Sequence, residues 1–311
     1  MNPSDPAPPR GGTLVARARY AGLVMLAFAA LAWADAVGLG GVGPAWWLLP
    51  LAVAVTVGGI DEYVRLVSAR GVVLPGSILR AAGVAIVLAA AVAVHGVPEA
   101  DIGVSAVVFA FAVVTLFAVE IARYGAAAAG EGRALERLGT GVLALVLVPL
   151  PLAFMMSLRL FPPVALRKTW PEPLGILPLV SLVAVAKAGD IAAYLGGTFL
   201  GRNRMAPVIS PGKTWEGAAA SLVGAIAASW WVVGRLGAGL PAQPWGGWLA
   251  FGVLVGVAAM LGDLAESLLK RECGAKDSGR TLGGLGGVLD LVDSFVFSAP
   301  VAWLLWVAGC R

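Results

Sequence analysis

The chain has 311 residues, of which 59% are hydrophobic and only 13% are charged, with a mean hydropathy of +0.88. Soluble domains carry about 25% charged residues, so this composition excludes a soluble globular protein and points to an integral membrane protein. The formal net charge is +4, with basic residues dispersed at the edges of apolar runs. That distribution suits the lipid bilayer as a partner and excludes nucleic acid.

The opening residues, MNPSDPAPPRGG, are rich in Pro and Gly. Residues 1–19 are therefore expected to be a disordered cytoplasmic tail, with no cleavable signal, and the first apolar run is expected to stay as an anchor. A spanning helix needs about 20 mostly apolar residues, and about nine stretches meet that standard. They lie near 20–40, 45–61, 80–98, 103–122, 138–158, 174–200, 216–235, 246–265 and 293–309. The runs are long and do not alternate, which excludes a closed barrel. The fold class expected is all-α, a polytopic membrane helix bundle. With the N-terminus inside, most of the 22 Lys and Arg fall on the cytoplasmic side, as the positive-inside rule requires. Arg159, Arg167 and Lys168, between the fifth and sixth spans, are the exception. Cys273 and Cys310 are far apart and lack a CxxC spacing, so no disulfide is expected. His95 is the single histidine, which argues against histidine-based catalysis.

Two regions differ in their polar content. Residues 20–175 read as an N-terminal transmembrane scaffold. Residues 176–311 read as a C-terminal transmembrane catalytic region, because ionisable groups appear there at membrane depth: Lys187, Asp190, Glu216, Asp263, Glu266, Asp290 and Asp293. Charge at that depth is costly and marks function by default.

Five segments carry the chemistry. On the sixth span Asp190 and Tyr194 are one turn apart, with Lys187 as a local partner for the acid. The fragment PGKT is not a phosphate-binding P-loop, because Pro207 stands where that motif needs glycine. Ser210 is read instead as an N-cap and Pro211 as the first residue of the seventh span. Lys213, Arg202 and Arg204 then form a basic rim, with Glu216 at the helix mouth. In GDLAESLLKR, Asp263, Glu266, Ser267 and Lys270 fall on one helical face. A helix leaving the membrane with a solvated stripe would show the same spacing. In KDSGRTLGGLGG, glycines let a backbone approach an anion closely, although a plain flexible loop has this composition too. Asp290 and Asp293 then share a face where the ninth span begins. Two such carboxylates repel unless a cation sits between them, and a hard ion such as Mg²⁺ suits oxygen ligands and phosphate. Favourable placement of acids at a helix start is the alternative.

At these residues the sequence resembles the phosphatidate cytidylyltransferase family (CDP-diacylglycerol synthases). The C-terminal signature is matched by Gly262, Asp263, Glu266, Ser267, Lys270, Arg271, Lys276, Asp277, Gly286, Gly287, Asp290 and Asp293. The upstream block is matched by Asp190, Ala193, Tyr194, Gly201, Ser210, Pro211, Lys213, Thr214, Glu216 and Gly217. The likeness covers roughly residues 187–298. The chain departs from the pattern at Leu285, where the family has histidine, and at Leu291, where it has arginine. Gly283 and Ile191 are smaller departures.

The resemblance implies transfer of a cytidylyl group from CTP to phosphatidate, giving CDP-diacylglycerol and pyrophosphate. It implies Mg²⁺ as cofactor, with a second cation left open, held by Asp263, Asp290 and Asp293. Ser267, Lys270, Arg271, Lys276 and Asp277 become candidate catalytic residues. Asp190, Tyr194, Ser210, Lys213, Glu216, Gly286 and Gly287 become candidate substrate-binding residues. The implied location is the cell inner (plasma) membrane, with the site on the cytoplasmic side; a homodimer is left open. A divergent CTP-using lipid kinase or transferase, or a non-catalytic membrane paralogue, is the alternative.

Overall fold

The structure is a computed structural model that describes residues 14–96, 102–126, 133–161, 170, 172–275, 278–279 and 286–310. The helices run in order α1 (Leu14–Ala36), α2 (Leu49–Ser68), α3 (Gly76–Gly96), α4 (Ile102–Ala126), α5 (Ala134–Leu147) and α6 (Pro149–Arg159). They continue with α7 (Leu177–Phe199), α8 (Trp215–Ser229), α9 (Gly247–Glu272), α10 (Leu289–Val292) and α11 (Phe295–Ala308). A backbone in lipid must satisfy its own hydrogen bonds, which is why apolar runs of this length become helices. The all-α expectation holds. The one departure among the described residues is a short antiparallel hairpin, β1 (Arg204–Ala206) and β2 (Ser210–Thr214).

Among the described residues, six helices are long and apolar enough to cross a membrane: Gly103–Tyr124, Ala134–Arg159, Leu174–Phe199, Trp215–Leu236, Gly247–Glu272 and Leu289–Ala308. The chain is a multi-pass membrane protein. The expected count of nine needs α1, α2 and α3 as well. Only shorter apolar stretches of α1 and α3, Met25–Ala36 and Gly76–Ala91, qualify as apolar helix. α2 carries Asp61, Glu62 and Arg65 within its length. One rod bends where α5 meets α6, because Pro149 and Pro151 open α6 and proline lacks the donor that would continue the ladder.

The outer face of the bundle shows Leu26, Phe111, Ile121, Phe199, Val223 and Leu304, as a lipid-facing surface should. The centre holds Trp306, Phe251, Tyr63 and Leu182, all fully buried. α7, α8 and α9 pack through small residues. A Cβ at Gly224 would lie 2.9 Å from the Ala188 carbonyl, and one at Gly252 would lie 2.9 Å from the Ile226 Cα. Such surfaces let helix backbones meet closely in a membrane. α7 and α9 carry Lys187, Asp190, Asp263, Glu266 and Lys270 toward the same end of the bundle.

At the opposite end, Arg159 is buried and ion-paired with Asp35. Asp35 also accepts hydrogen bonds from Ala45 N at 3.1 Å and Trp47 N at 3.2 Å. Arg159 is therefore a core residue rather than a loop cation, which accounts for its poor fit to the charge rule. Arg167 and Lys168 lie outside the described residues.

Candidate active site

α9 brings Asp263, Glu266 and Lys270 onto one face, and α10 with the residue after it brings Asp290 and Asp293. Gly262 lets the two meet: any Cβ there would overlap the Asp293 carbonyl. Lys270 Nζ bridges the two helices, 2.9 Å from Glu266 Oε2 and 2.6 Å from Asp290 Oδ1. Asp290 Oδ2 accepts from Ser278 Oγ at 2.7 Å and from Gly287 N at 2.6 Å. Asp293 lies close enough to Asp263 and Glu266 for the three carboxylates to interact electrostatically.

Two more elements close the cluster. From α7, Lys187 Nζ sits 2.9 Å from Asp190 Oδ2 and 3.1 Å from Ser294 Oγ. Ser294 Oγ in turn lies 3.0 Å from both Asp190 Oδ2 and Asp293 Oδ1. From β2, Lys213 Nζ reaches to 3.3 Å from Asp263 Oδ2. Three lysines are thus interleaved with the acids Asp190, Asp263, Glu266, Asp290 and Asp293. At effective interior dielectric such alternation holds carboxylates together that would otherwise repel.

The structure brings Asp190, Lys213, Asp263, Lys270, Asp290 and Asp293 together. Gly287 joins the cluster through its N–H to Asp290 Oδ2, and the other described residues of the expected set have different surroundings. Tyr194 is exposed on α7. Arg271 donates through Nε to the Ile209 carbonyl at 3.2 Å, tying the hairpin tip to the end of α9. Glu216 accepts from Arg202 N at 3.1 Å and Asn203 Nδ2 at 2.7 Å, so it shapes the turn before β1. Ser267 is half-buried beside Glu266. Gly286 has φ +96 and packs against the Asp290 carboxylate, and Gly287 packs against Glu62 and Ser278. Lys276, Asp277 and Leu285 lie outside the described residues. The expected Ser210 cap is corrected: Ser210 and Pro211 belong to β2, and Thr214 caps α8 by accepting from Gly217 N at 3.1 Å. Strand pairing with Arg204–Ala206 extends the chain four residues further before the helix starts.

Glu62 is the residue that sequence reasoning passed over. It comes from α2, is fully buried, and accepts from Leu289 N at 3.0 Å. Its signal was an acid at the edge of a long apolar run, the same kind of signal that marked the C-terminal acids.

Oxygen donors of this kind suit a hard divalent cation. Two buried atoms here have no hydrogen-bond partner, Glu266 Oε1 and Lys213 Nζ, so the site has unused capacity for both a cation and an anion. Asp263, Glu266 and Asp293 fit the cation by chemistry. Among the described residues no three potential ligands already stand in a metal-binding arrangement. Asp290, which the sequence also offered as a ligand, has both oxygens engaged by Lys270, Ser278 and Gly287.

A family model described as the cytidylyltransferase family matches residues 17–308. The chain belongs to the cytidylyltransferase family. Relatives agree over a shorter stretch. A phosphatidate cytidylyltransferase of Brucella suis biovar 1 (strain 1330) is 47% identical over 135 residues, 43% of this chain and 48% of the relative. One from Synechocystis sp. is 40% identical over 146 residues, 43% of this chain and 47% of the relative. The uncharacterized protein YnbB of Escherichia coli (strain K12) is 41% identical over 127 residues, 41% of each chain. The chain thus matches these relatives over about half of their length.

Proposed function

We propose that this cytidylyltransferase-family protein transfers a cytidylyl group from CTP to phosphatidate, forming CDP-diacylglycerol and releasing pyrophosphate. The observation that carries the reading is the interleaved cluster of lysines and carboxylates at one end of a membrane-spanning bundle. Two anionic substrates, one from the bilayer and one from water, need such a place to meet. The basic residues gathered at that end, among them Arg70, Arg80, Arg123 and Arg137, support a cytoplasmic orientation and an inner-membrane location.

The chemistry asks little of a general base. A phosphate monoester has a second pKa of about 6, so the attacking oxygen of phosphatidate is already anionic at neutral pH. The barrier is bringing anions together and stabilising charge on the departing pyrophosphate. Lys213, whose ammonium pairs with Asp263 at 3.3 Å but makes no hydrogen bond, is placed to receive a phosphate oxygen. Lys270, fixed by Glu266 and Asp290, would hold the triphosphate in line. Lys187 would keep Asp190 and Asp293 from repelling each other and the incoming phosphate. Asp263, Glu266 and Asp293 would hold Mg²⁺. When bound, Mg²⁺ would supply positive charge to the phosphoryl oxygens.

Purified protein with phosphatidate, Mg²⁺ and α-labelled CTP tests the reading. Labelled lipid with stoichiometric pyrophosphate is expected. Release of CDP with a phosphorylated lipid would establish kinase chemistry instead, and no lipid product from folded protein would remove the activity.

A further inference from the structure

The loop that precedes α10 is held from an unexpected side. Gly58 and Gly59 of α2 leave a flat seat: a Cβ at Gly58 would lie 3.2 Å from Val288 Cγ2, and one at Gly59 would lie 3.7 Å from Leu289 Cδ2. One turn along the same face, Glu62 receives the Leu289 N–H at 3.0 Å. The segment closes on this carboxylate from two directions. A Cβ at Gly279 would lie 2.6 Å from Glu62 Oε1, and one at Gly287 would overlap Glu62 Oε2. Leu289 is the first residue of α10, and the next residue is Asp290, which fixes Lys270 at 2.6 Å.

We infer that Glu62 is a positioning residue for the reaction proposed above, acting through Leu289 and Asp290 on Lys270. The inference rests on that reading for its kinetic consequence only. The Glu62 carboxylate sets where α10 begins, and so sets where the Asp290 oxygens stand. A buried N–H left without its acceptor is costly, because the stranded donor stays desolvated, and the contact is reinforced here by glycines that admit no side chain between the partners.

The test uses the full chain in lipid nanodiscs with three substitutions. Glu62→Gln keeps the reach and an acceptor oxygen but loses the charge. Glu62→Asp keeps the charge but shortens the reach. Glu62→Ala removes both. Hydrogen exchange across residues 286–292 is expected to quicken about tenfold or more in the Asp and Ala variants and much less in the Gln variant. Turnover is expected to follow the same order, with kcat down about 10- to 100-fold for Ala and KM for CTP within about threefold, because Glu62 shapes a group used in the transition state. Asp61→Ala is the control, since its partly exposed carboxylate pairs with Arg80 at 2.6 Å; it should leave both readouts unchanged. Unchanged exchange in the Asp and Ala variants overturns the inference. So does equal loss of kcat in the Gln and Asp variants, or failure of all three to fold, either of which would mark Glu62 as a general core residue. If the unaltered chain turns over no CTP with phosphatidate, the proposed activity fails, while the exchange comparison still decides whether Glu62 places Asp290.

Discussion

Lys270→Met is the substitution whose consequence follows most directly from the geometry. The lysine side chain is 13% exposed, and its two partners, Glu266 and Asp290, are 7% and 18% exposed. Removing one partner of a buried ion pair costs about 3–5 kcal/mol, because the remaining charge stays desolvated without compensation. Asp290 would keep its bonds from Ser278 and Gly287, which places the expected loss near the low end, about 3 kcal/mol. Glu266, with one oxygen already unpartnered, would bear most of the strain. Adding Asp290→Asn to the same chain should return part of the stability, with a coupling of about 1–3 kcal/mol. Equilibrium unfolding in mixed SDS and neutral-detergent micelles, followed by tryptophan fluorescence, would measure each arm of the cycle. A single-variant loss below about 1 kcal/mol, or additivity within about 0.5 kcal/mol, would refute the reasoning, since it would mean Lys270 and Asp290 act independently.

The same structure sets further outcomes. Asp293→Asn should lower nucleotide transfer about 100-fold or more while circular dichroism stays helical; near-normal transfer would remove this carboxylate from the proposed cation site. Thr214→Ala should cost about 1 kcal/mol in the unfolding assay, because the α8 cap is lost, and Ser210→Ala should cost less than that. Arg159→Met should destabilise by about 3–5 kcal/mol, as it leaves buried Asp35 without its ionic partner, with little change in KM because it lies at the far end of the bundle. Burial pushes the Cys273 thiol up, so little thiolate is present at neutral pH. Maleimide labelling should run slower than for a free cysteine peptide and keep accelerating at pH values where the peptide has levelled off.

Much of the site was legible because helical periodicity writes a face into the sequence. Asp263, Glu266 and Lys270 share a face by spacing alone, and so do Asp290 and Asp293. The pairing of Lys187 with Asp190 is also local, three residues apart, and the structure shows it at 2.9 Å. Arg271 and Tyr194 stand apart from the lysine and carboxylate cluster for a related reason. Both are next to clustered residues in sequence, yet a helix turns adjacent side chains to different faces, and theirs meet the hairpin and the outer surface. The hairpin itself left only a weak mark, since two strands of three and five residues are too short for a clear period-two pattern.

The sequence by itself determined that the chain is a bundle of membrane helices, because lipid offers a backbone no partners and long apolar runs have no other stable form. It also determined which residue types crowd toward the C-terminal spans. Only the tertiary structure decided the partners: Lys270 with Asp290, Lys213 with Asp263, and Glu62 with the backbone of Leu289, 227 residues away. Those contacts depend on how closely helix backbones approach, which Gly262, Gly58 and Gly59 permit. Spacing along one chain segment carries no information about that distance.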